Sequence, residues 1–267
     1  MKFGICASFR EVALLNTRPF DFLEENIQRF LVPEQPQAVF DDLLREARRL
    51  SLSPEVANAF FPSDLSLIDT ATRRIDAPRL ERYVKTTLQR AEQAGIQVLV
   101  FGSGLARACP EGYDPQAALR QLGDALATWC NWARGYGVTI ALEPLRYEET
   151  NMLNTVEECG IFLSGLSDRG ARLVVDLYHM ACNREAPGSM LPWTSVLSHV
   201  HVAQQAGRAA PTADGEDFRS AFAVLKRAGY DRRISIECHW RDLACEVDSA
   251  LSVLREQWQS STMGSSE

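Results

Sequence analysis

The chain has 267 residues, of which 46% are hydrophobic and 24% charged, and its formal net charge is −7. That length is close to the roughly 250 residues of a single (β/α)8 domain, and the apolar share is enough for one large core. The acidic balance argues against a nucleic-acid surface, which needs a basic stripe, and no apolar run is long enough to span a membrane.

Apolar runs of strand length alternate with amphipathic stretches of helix length. Strands are predicted at KFGIC (2–6) and DFLEEN (21–26), then a helix over 37–50 and a strand at SPEVANAF (53–60). A helix over 79–94 follows. Asp76, Ala77 and Pro78 supply a cap and an early proline, Leu80, Val84, Leu88 and Ala91 recur at helical spacing, and Gly95 ends it. Next come the strand IQVLVFG (96–102), a helix over 115–136 closed by Gly135 and Gly137, and the strand VTIALEP (138–144). A helix over 155–166 leads to LVVDLY (173–178), and HVHVA (199–203) is the next strand. A helix over 215–228 runs between Asp214 and Gly229, followed by the strand ISIECH (234–239) and a helix over 244–258. The polar end, 259–267, has nothing to bury and is expected to be disordered.

Eight buried strands alternating with helices make a parallel α/β protein. An open doubly wound sheet usually binds at a glycine-rich first turn, but the first strand here leads into ASFREV, with no GxGxxG. The polar residues cluster instead at the ends of the last four strands, which favours a closed (β/α)8 TIM barrel over residues 1–258, a single domain. Seven cysteines, an odd number, occur without a CxxC pair. That pattern fits a reduced, cytoplasmic protein, as does an N-terminus that turns polar before a signal core can form.

ALEPL (141–145), LVVDLYH (173–179), HVHVA (199–203) and ISIECHW (234–240) each carry an acid or imidazole at the far end: Glu143, Asp176, His201 and Glu237. The gaps between them are 33, 25 and 36 residues, about one strand-plus-helix unit each. In a closed barrel such strand ends converge on one rim. Side chains alternate along a strand, so Thr139, Ala141 and Glu143 share a face, as do Val174 and Asp176, His199 and His201, and Ser235 and Glu237. Any one acid at a strand end is more often a helix cap or a solvated residue. Four on consecutive strands, all suited to a metal, point to a binding site for one divalent cation. Carboxylate oxygens suit manganese, the first candidate, and magnesium; one imidazole also admits zinc or cobalt.

Other residues carry two readings each. His179 would hydrogen-bond a substrate or cap its loop. Glu149 would bind substrate or order EPLRYEETN. Arg208, in the small-residue loop QQAGRAAP, would reach an oxyanion or stay solvated, and Arg107 or Arg208 could meet a phosphate. His199 reads as a packed, hydrogen-bonded core histidine, and Trp193 and Trp240 as packing residues. His239 would enter the mouth or point into the next loop.

FGSGLAR (101–107), ALEPLRYEETNMLNT (141–155), LVVDLYHM (173–180), HVHVAQQAGRAAPTADGEDF (199–218) and ISIECHW (234–240) resemble the xylose isomerase-like TIM barrels, the sugar phosphate isomerase/epimerase superfamily. Within it they are most similar to the D-tagatose 3-epimerase and hydroxypyruvate isomerase branch. The resemblance implies that Glu143, Asp176, His201 and Glu237 bind one metal and that Glu143 and Glu237 are also the catalytic acid/base pair. It implies substrate contacts from His179, Arg208 and Glu149. The chain departs from the pattern in Arg146, Tyr147 and Glu148, where relatives often read Asn-Arg-aromatic, and in a fourth strand end without an aromatic.

The implied function is isomerisation or epimerisation of a ketose or hydroxyketone by two-glutamate proton transfer through a metal-bound enediolate. A metal-dependent dehydratase of a related polyol would start with the same proton loss, and a non-catalytic sugar-binding relative would keep only the site. A nuclease of the same fold would need more than the four histidines present and a basic groove. The expected partner is a small sugar or hydroxyketone, with no nucleic acid and no membrane; a homo-oligomer is allowed.

Overall fold

The computed structural model describes residues 1–52, 54–166 and 169–262. Eight parallel strands close in sequence order into one barrel: β1 (Lys2–Cys6), β2 (Phe22–Asn26), β3 (Pro54–Asn58), β4 (Val98–Phe101), β5 (Thr139–Leu142), β6 (Arg172–Asp176), β7 (Leu197–Val202) and β8 (Arg233–Ile236). Closure comes from β1 pairing with β8, Lys2 opposite Arg233 and Ile5 opposite Ile236. All eight predicted strands are present. The longer helices are α2 (Gln37–Arg49), α3 (Ala77–Ala94), α5 (Pro115–Gly135), α6 (Val156–Ser164), α8 (Arg219–Arg227) and α9 (Leu243–Ser260). These match the six expected helices, and the barrel is the single (β/α)8 domain that the strand ends implied.

Local chemistry explains the boundaries. The Asp76 side chain accepts the Arg79 N–H at the start of α3, and Gly95 ends it at φ 80°, a conformation other residues avoid. At α6 the Thr155 hydroxyl accepts the Glu158 N–H while the Glu158 carboxylate turns back to the Thr155 N–H. The C-terminal helix α9 runs to Ser260, whereas a disordered segment was expected from 259; residues 263–267 of that segment lie outside the described residues.

Three short helices escaped the sequence reading: α1 (Phe9–Ala13), α4 (Gly104–Arg107) and α7 (Leu177–Cys182). Each follows a strand directly, after β1, β4 and β6, and so stands on the rim. The helix α7 also corrects the sixth strand, which ends at Asp176 rather than at 178. The Asp176 carboxylate itself is the reason: its Oδ1 accepts the Tyr178 N–H at 2.8 Å and caps the helix.

The barrel interior is filled at its lower end by Phe22, Val56, Val98, Val100, Ala141 and Val174. Gly4 makes room there, since a β-carbon on it would fall 2.4 Å from the Phe22 ring. The larger core lies between the sheet and the helices, and it is dominated by Leu, Ile, Phe and Val. Cys109, Cys130 and Cys159 are buried, and all seven cysteines are free thiols. Among the described residues, no helix is long and apolar enough to cross a membrane.

One expectation is overturned within this core. Arg107 was a candidate for meeting a phosphate, but it is fully buried and its guanidinium donates to the carbonyls of Phe101, Glu143 and Leu153. Those carbonyls belong to the strand ends and loops that carry the site. Arg107 therefore serves as an internal strut under Glu143, and no ligand reaches it.

Candidate metal centre

Glu143 and Glu237 each stand one residue beyond a strand. Their N–H groups still bond to the neighbouring strands, Glu143 to the Phe101 carbonyl and Glu237 to that of Val202, both at 3.1 Å. Asp176 is the last residue of β6 and sits in register with His201 on β7. The four candidate ligands are thus held at one height by the ladder. One donor atom from each of Glu143, Asp176, His201 and Glu237 lies within 4.8 Å of the others. His201 Nδ1 is 2.9 Å from Glu143 Oε1 and 3.1 Å from Glu237 Oε2. Three carboxylates and an imidazole this close form a donor set that suits a divalent cation with oxygen and nitrogen ligands.

Burial sharpens the electrostatics. Glu143, Asp176 and His201 are buried, while the Glu237 side chain is 22% exposed and opens to the mouth. For His201, burial opposes the charged ring, yet Glu24, Glu237 and Glu143 together lift its pKa well above the usual value. Burial pushes the Glu143 carboxyl up against the pull of His201. Burial acts the same way on Glu237, but His201 and Arg208 overcome it and hold that carboxylate low.

The remaining sequence candidates separate by position. Arg208 reaches into the site: one terminal nitrogen is 2.9 Å from Asp176 Oδ2 and 2.5 Å from Glu237 Oε2, and its Nε donates to the Glu237 carbonyl at 3.1 Å. The guanidinium also lies over the Tyr178 ring, 4.6 Å from its centroid. The loop that presents it turns through Gly207 and Arg208, both in the left-handed region at φ 67° and 50°. The Arg208 carbonyl accepts the His239 N–H at 2.8 Å, which ties that turn to the end of β8. The solvated reading of Arg208 is therefore wrong for this structure.

His179 is buried in α7, with Nε2 3.4 Å from Asp176 Oδ2 and Nδ1 without a partner. It lines a cleft of about 250 Å³ together with Glu143, Glu149, Arg208 and Glu237. Glu149 lines the same cleft but its carboxylate is tied to Arg146 at 2.6 Å, so it also orders its own loop. His239 is exposed beside an adjoining cleft of about 360 Å³ that Cys6, Glu24, Glu25, Asn58 and Trp240 share with Glu237. Trp193 packs over Gly160, as expected of a packing residue. Trp240 is partly buried, donates from its indole to the Cys6 carbonyl, and lines the cleft as well.

Residues from the first three strands were missed. Asn58, at the end of β3, donates to Glu237 Oε1 at 3.0 Å. Glu24 and Glu25 on β2 are both buried, 1% and 3% exposed, on opposite faces of the strand. Glu24 points into the barrel toward His199 and His201. Glu25 accepts the N–H groups of Phe9 at 2.5 Å and Asn26 at 3.2 Å, pinning the first turn of α1 beside the cleft. Burial raises its pKa to about 7 despite those two hydrogen bonds. The unfolded carboxyl titrates near its usual 4.5, so Glu25 favours folding fully below that pH and the benefit is lost as pH rises through about 7. Glu25→Gln should accordingly gain melting temperature relative to the wild type between pH 5 and pH 8. Thermal melts of both proteins across that range test it, and a constant difference would show that Glu25 does not titrate there.

Residues 12–257 match the family described as Xylose isomerase-like TIM barrel, and the chain belongs to it. It is 32% identical over 149 residues to an L-ribulose 3-epimerase of Methylomonas sp. (strain DH-1), a match covering 54% of this chain and 49% of the relative. The chain thus spans about half the length of the curated relatives it matches. Among solved structures, an L-ribulose 3-epimerase superposes with a TM-score of 0.81 at 19% identity, covering 97% of this chain and 95% of that one. A D-psicose 3-epimerase with D-tagatose from Clostridium cellulolyticum H10 gives 0.77 at 17% identity, covering 97% and 99%. At such identities the superpositions establish the shared fold.

Proposed function

We propose that the chain is a divalent-metal-dependent isomerase or epimerase of a ketose or hydroxyketone. Glu143, Asp176, His201 and Glu237 would hold one cation, manganese being the first to test. When bound, that cation polarises the substrate carbonyl and stabilises negative charge on its oxygen. The observation that carries the reading is the placement of Glu143 and Glu237. Both reach the same imidazole nitrogen, from strands three apart around the barrel, and both border the cleft.

Two carboxylates converging on one cleft are what proton removal and return require. One takes the proton from the carbon next to the carbonyl. The other delivers a proton to the opposite face of that carbon, or to its neighbour. Arg208 adds a fixed positive charge at the mouth, and His179 offers a buried ring nitrogen with no partner of its own. The relatives named as 3-epimerases favour stereochemical inversion beside the carbonyl of a ketose.

A panel of ketoses and hydroxyketones in deuterium oxide with added manganese tests this, read by deuterium incorporation at each carbon. Incorporation with an epimeric product is expected. Incorporation followed by loss of water would reassign the chain as a dehydratase, and saturable binding without any exchange would make it a sugar-binding relative.

A further inference from the structure

Below the acidic rim lies a second buried constellation, and one imidazole belongs to both. His201 turns Nδ1 upward to Glu143 and Glu237 and Nε2 downward to Glu24 Oε1, 2.9 Å away. The other Glu24 oxygen takes the Ser235 hydroxyl at 2.5 Å and His199 Nε2 at 2.8 Å. Strands β2, β7 and β8 thus bring an acceptor and three donors together at the barrel axis, where Glu24 is 1% exposed and His199, His201 and Ser235 are fully buried. His199 Nδ1 has no partner. That orphan fixes the direction of the network, because a buried lone pair costs less to leave unmatched than a buried N–H, so the His199 proton sits on Nε2 and is given to Glu24.

We propose that Glu24 is a positioning residue for the metal centre: it accepts the Nε2 proton of His201 and so fixes the ring and tautomer that present Nδ1 to the cation. This rests on the four-residue metal site proposed above. A histidine ligand commonly gives its other N–H to a carboxylate, which orients the ring and makes the ligating nitrogen more basic. Glu24 suits that task because all of its oxygens face donors.

A rival arrangement uses the same atoms. Cys6, Glu24 and His201 also place one donor atom each within 4.8 Å, as a second cation would require. Two features weigh against it. Glu24 is already filled by Ser235, His199 and His201. Two cations on His201 would also strip the ring of both protons.

Two measurements decide. The first uses the wild-type chain loaded with zinc and labelled with nitrogen-15 in histidine. The His201 spectrum should show a proton on Nε2 and the metal on Nδ1; the reverse assignment, or zinc on both nitrogens, would overturn the proposal. The second is calorimetric titration of manganese into the wild type and into Glu24→Gln, which keeps the volume and one acceptor oxygen but loses the charge. Affinity should fall about 10- to 100-fold at a stoichiometry of one. Equal affinity in the two proteins would remove Glu24 from the site while leaving the metal reading intact. Failure of the wild type to bind manganese or zinc would sink the metal reading and this proposal with it. Should Glu24→Gln not fold, the nitrogen-15 spectrum of the wild type still gives the answer.

Discussion

Glu237→Gln should leave a folded barrel that exchanges substrate protons with solvent about 10² to 10⁴ times more slowly, the usual share of a general acid–base group. The fold should survive because Glu237 stands at the open end of β8, 22% exposed, and supports no core packing. Its backbone bond to Val202 is unaffected by the side chain, and the amide oxygen can still accept from Asn58. What changes is the other oxygen, which now faces Arg208 and His201. An amide NH2 there meets the Arg208 donor and can neither take a proton nor carry charge. Metal affinity will also drop with one carboxylate gone, so the deuterium wash-in rate has to be measured at saturating manganese. Near-normal exchange under those conditions would take Glu237 out of the mechanism.

The parts of this site that can be read from the sequence are those announced by strand ends. Glu143, Asp176, His201 and Glu237 each close a short apolar run, and the register of a parallel barrel turns four such endings into one ring. Glu24 has no comparable signature. In DFLEEN it is one of two adjacent acids, and adjacent acids normally read as a solvated edge. Only strand parity hints otherwise, since Phe22, Glu24 and Asn26 share a face and Phe22 lines the barrel. Its partners are 175 to 211 residues away along the chain, so no local window contains them. The short helices were hidden for a different reason. Four to six residues are too few to display a helical period, although Ser8 and Glu11 do form a capping box at α1. Arg107 was misjudged because a lone arginine gives no sign, in sequence, of whether carbonyls or solvent will meet it.

Arg208→Ala should separate turnover from metal binding. The guanidinium sits between Asp176 and Glu237, at 2.9 and 2.5 Å, in the same space where those carboxylates would offer oxygens to a cation. Removing a fixed positive charge leaves the ring of acids more negative, so affinity for manganese should hold or rise. Turnover should fall about 10²- to 10³-fold, the scale seen when one donor to a developing oxyanion is lost. A lysine at 208 should recover only part of this. The arginine bonds Asp176, Glu237 and the Glu237 carbonyl at once while stacking on Tyr178, and a single ammonium cannot reproduce that planar fork. The backbone adds a constraint of its own: residue 208 sits at φ 50°, where any side chain with a β-carbon is strained, so the alanine variant keeps the wild-type backbone cost and isolates the guanidinium. Steady-state kinetics at saturating metal, alongside manganese titration, give the comparison. Unchanged turnover would show that Arg208 only balances charge, whereas a loss of affinity matching the loss of turnover would make it part of the metal site rather than a partner of the substrate.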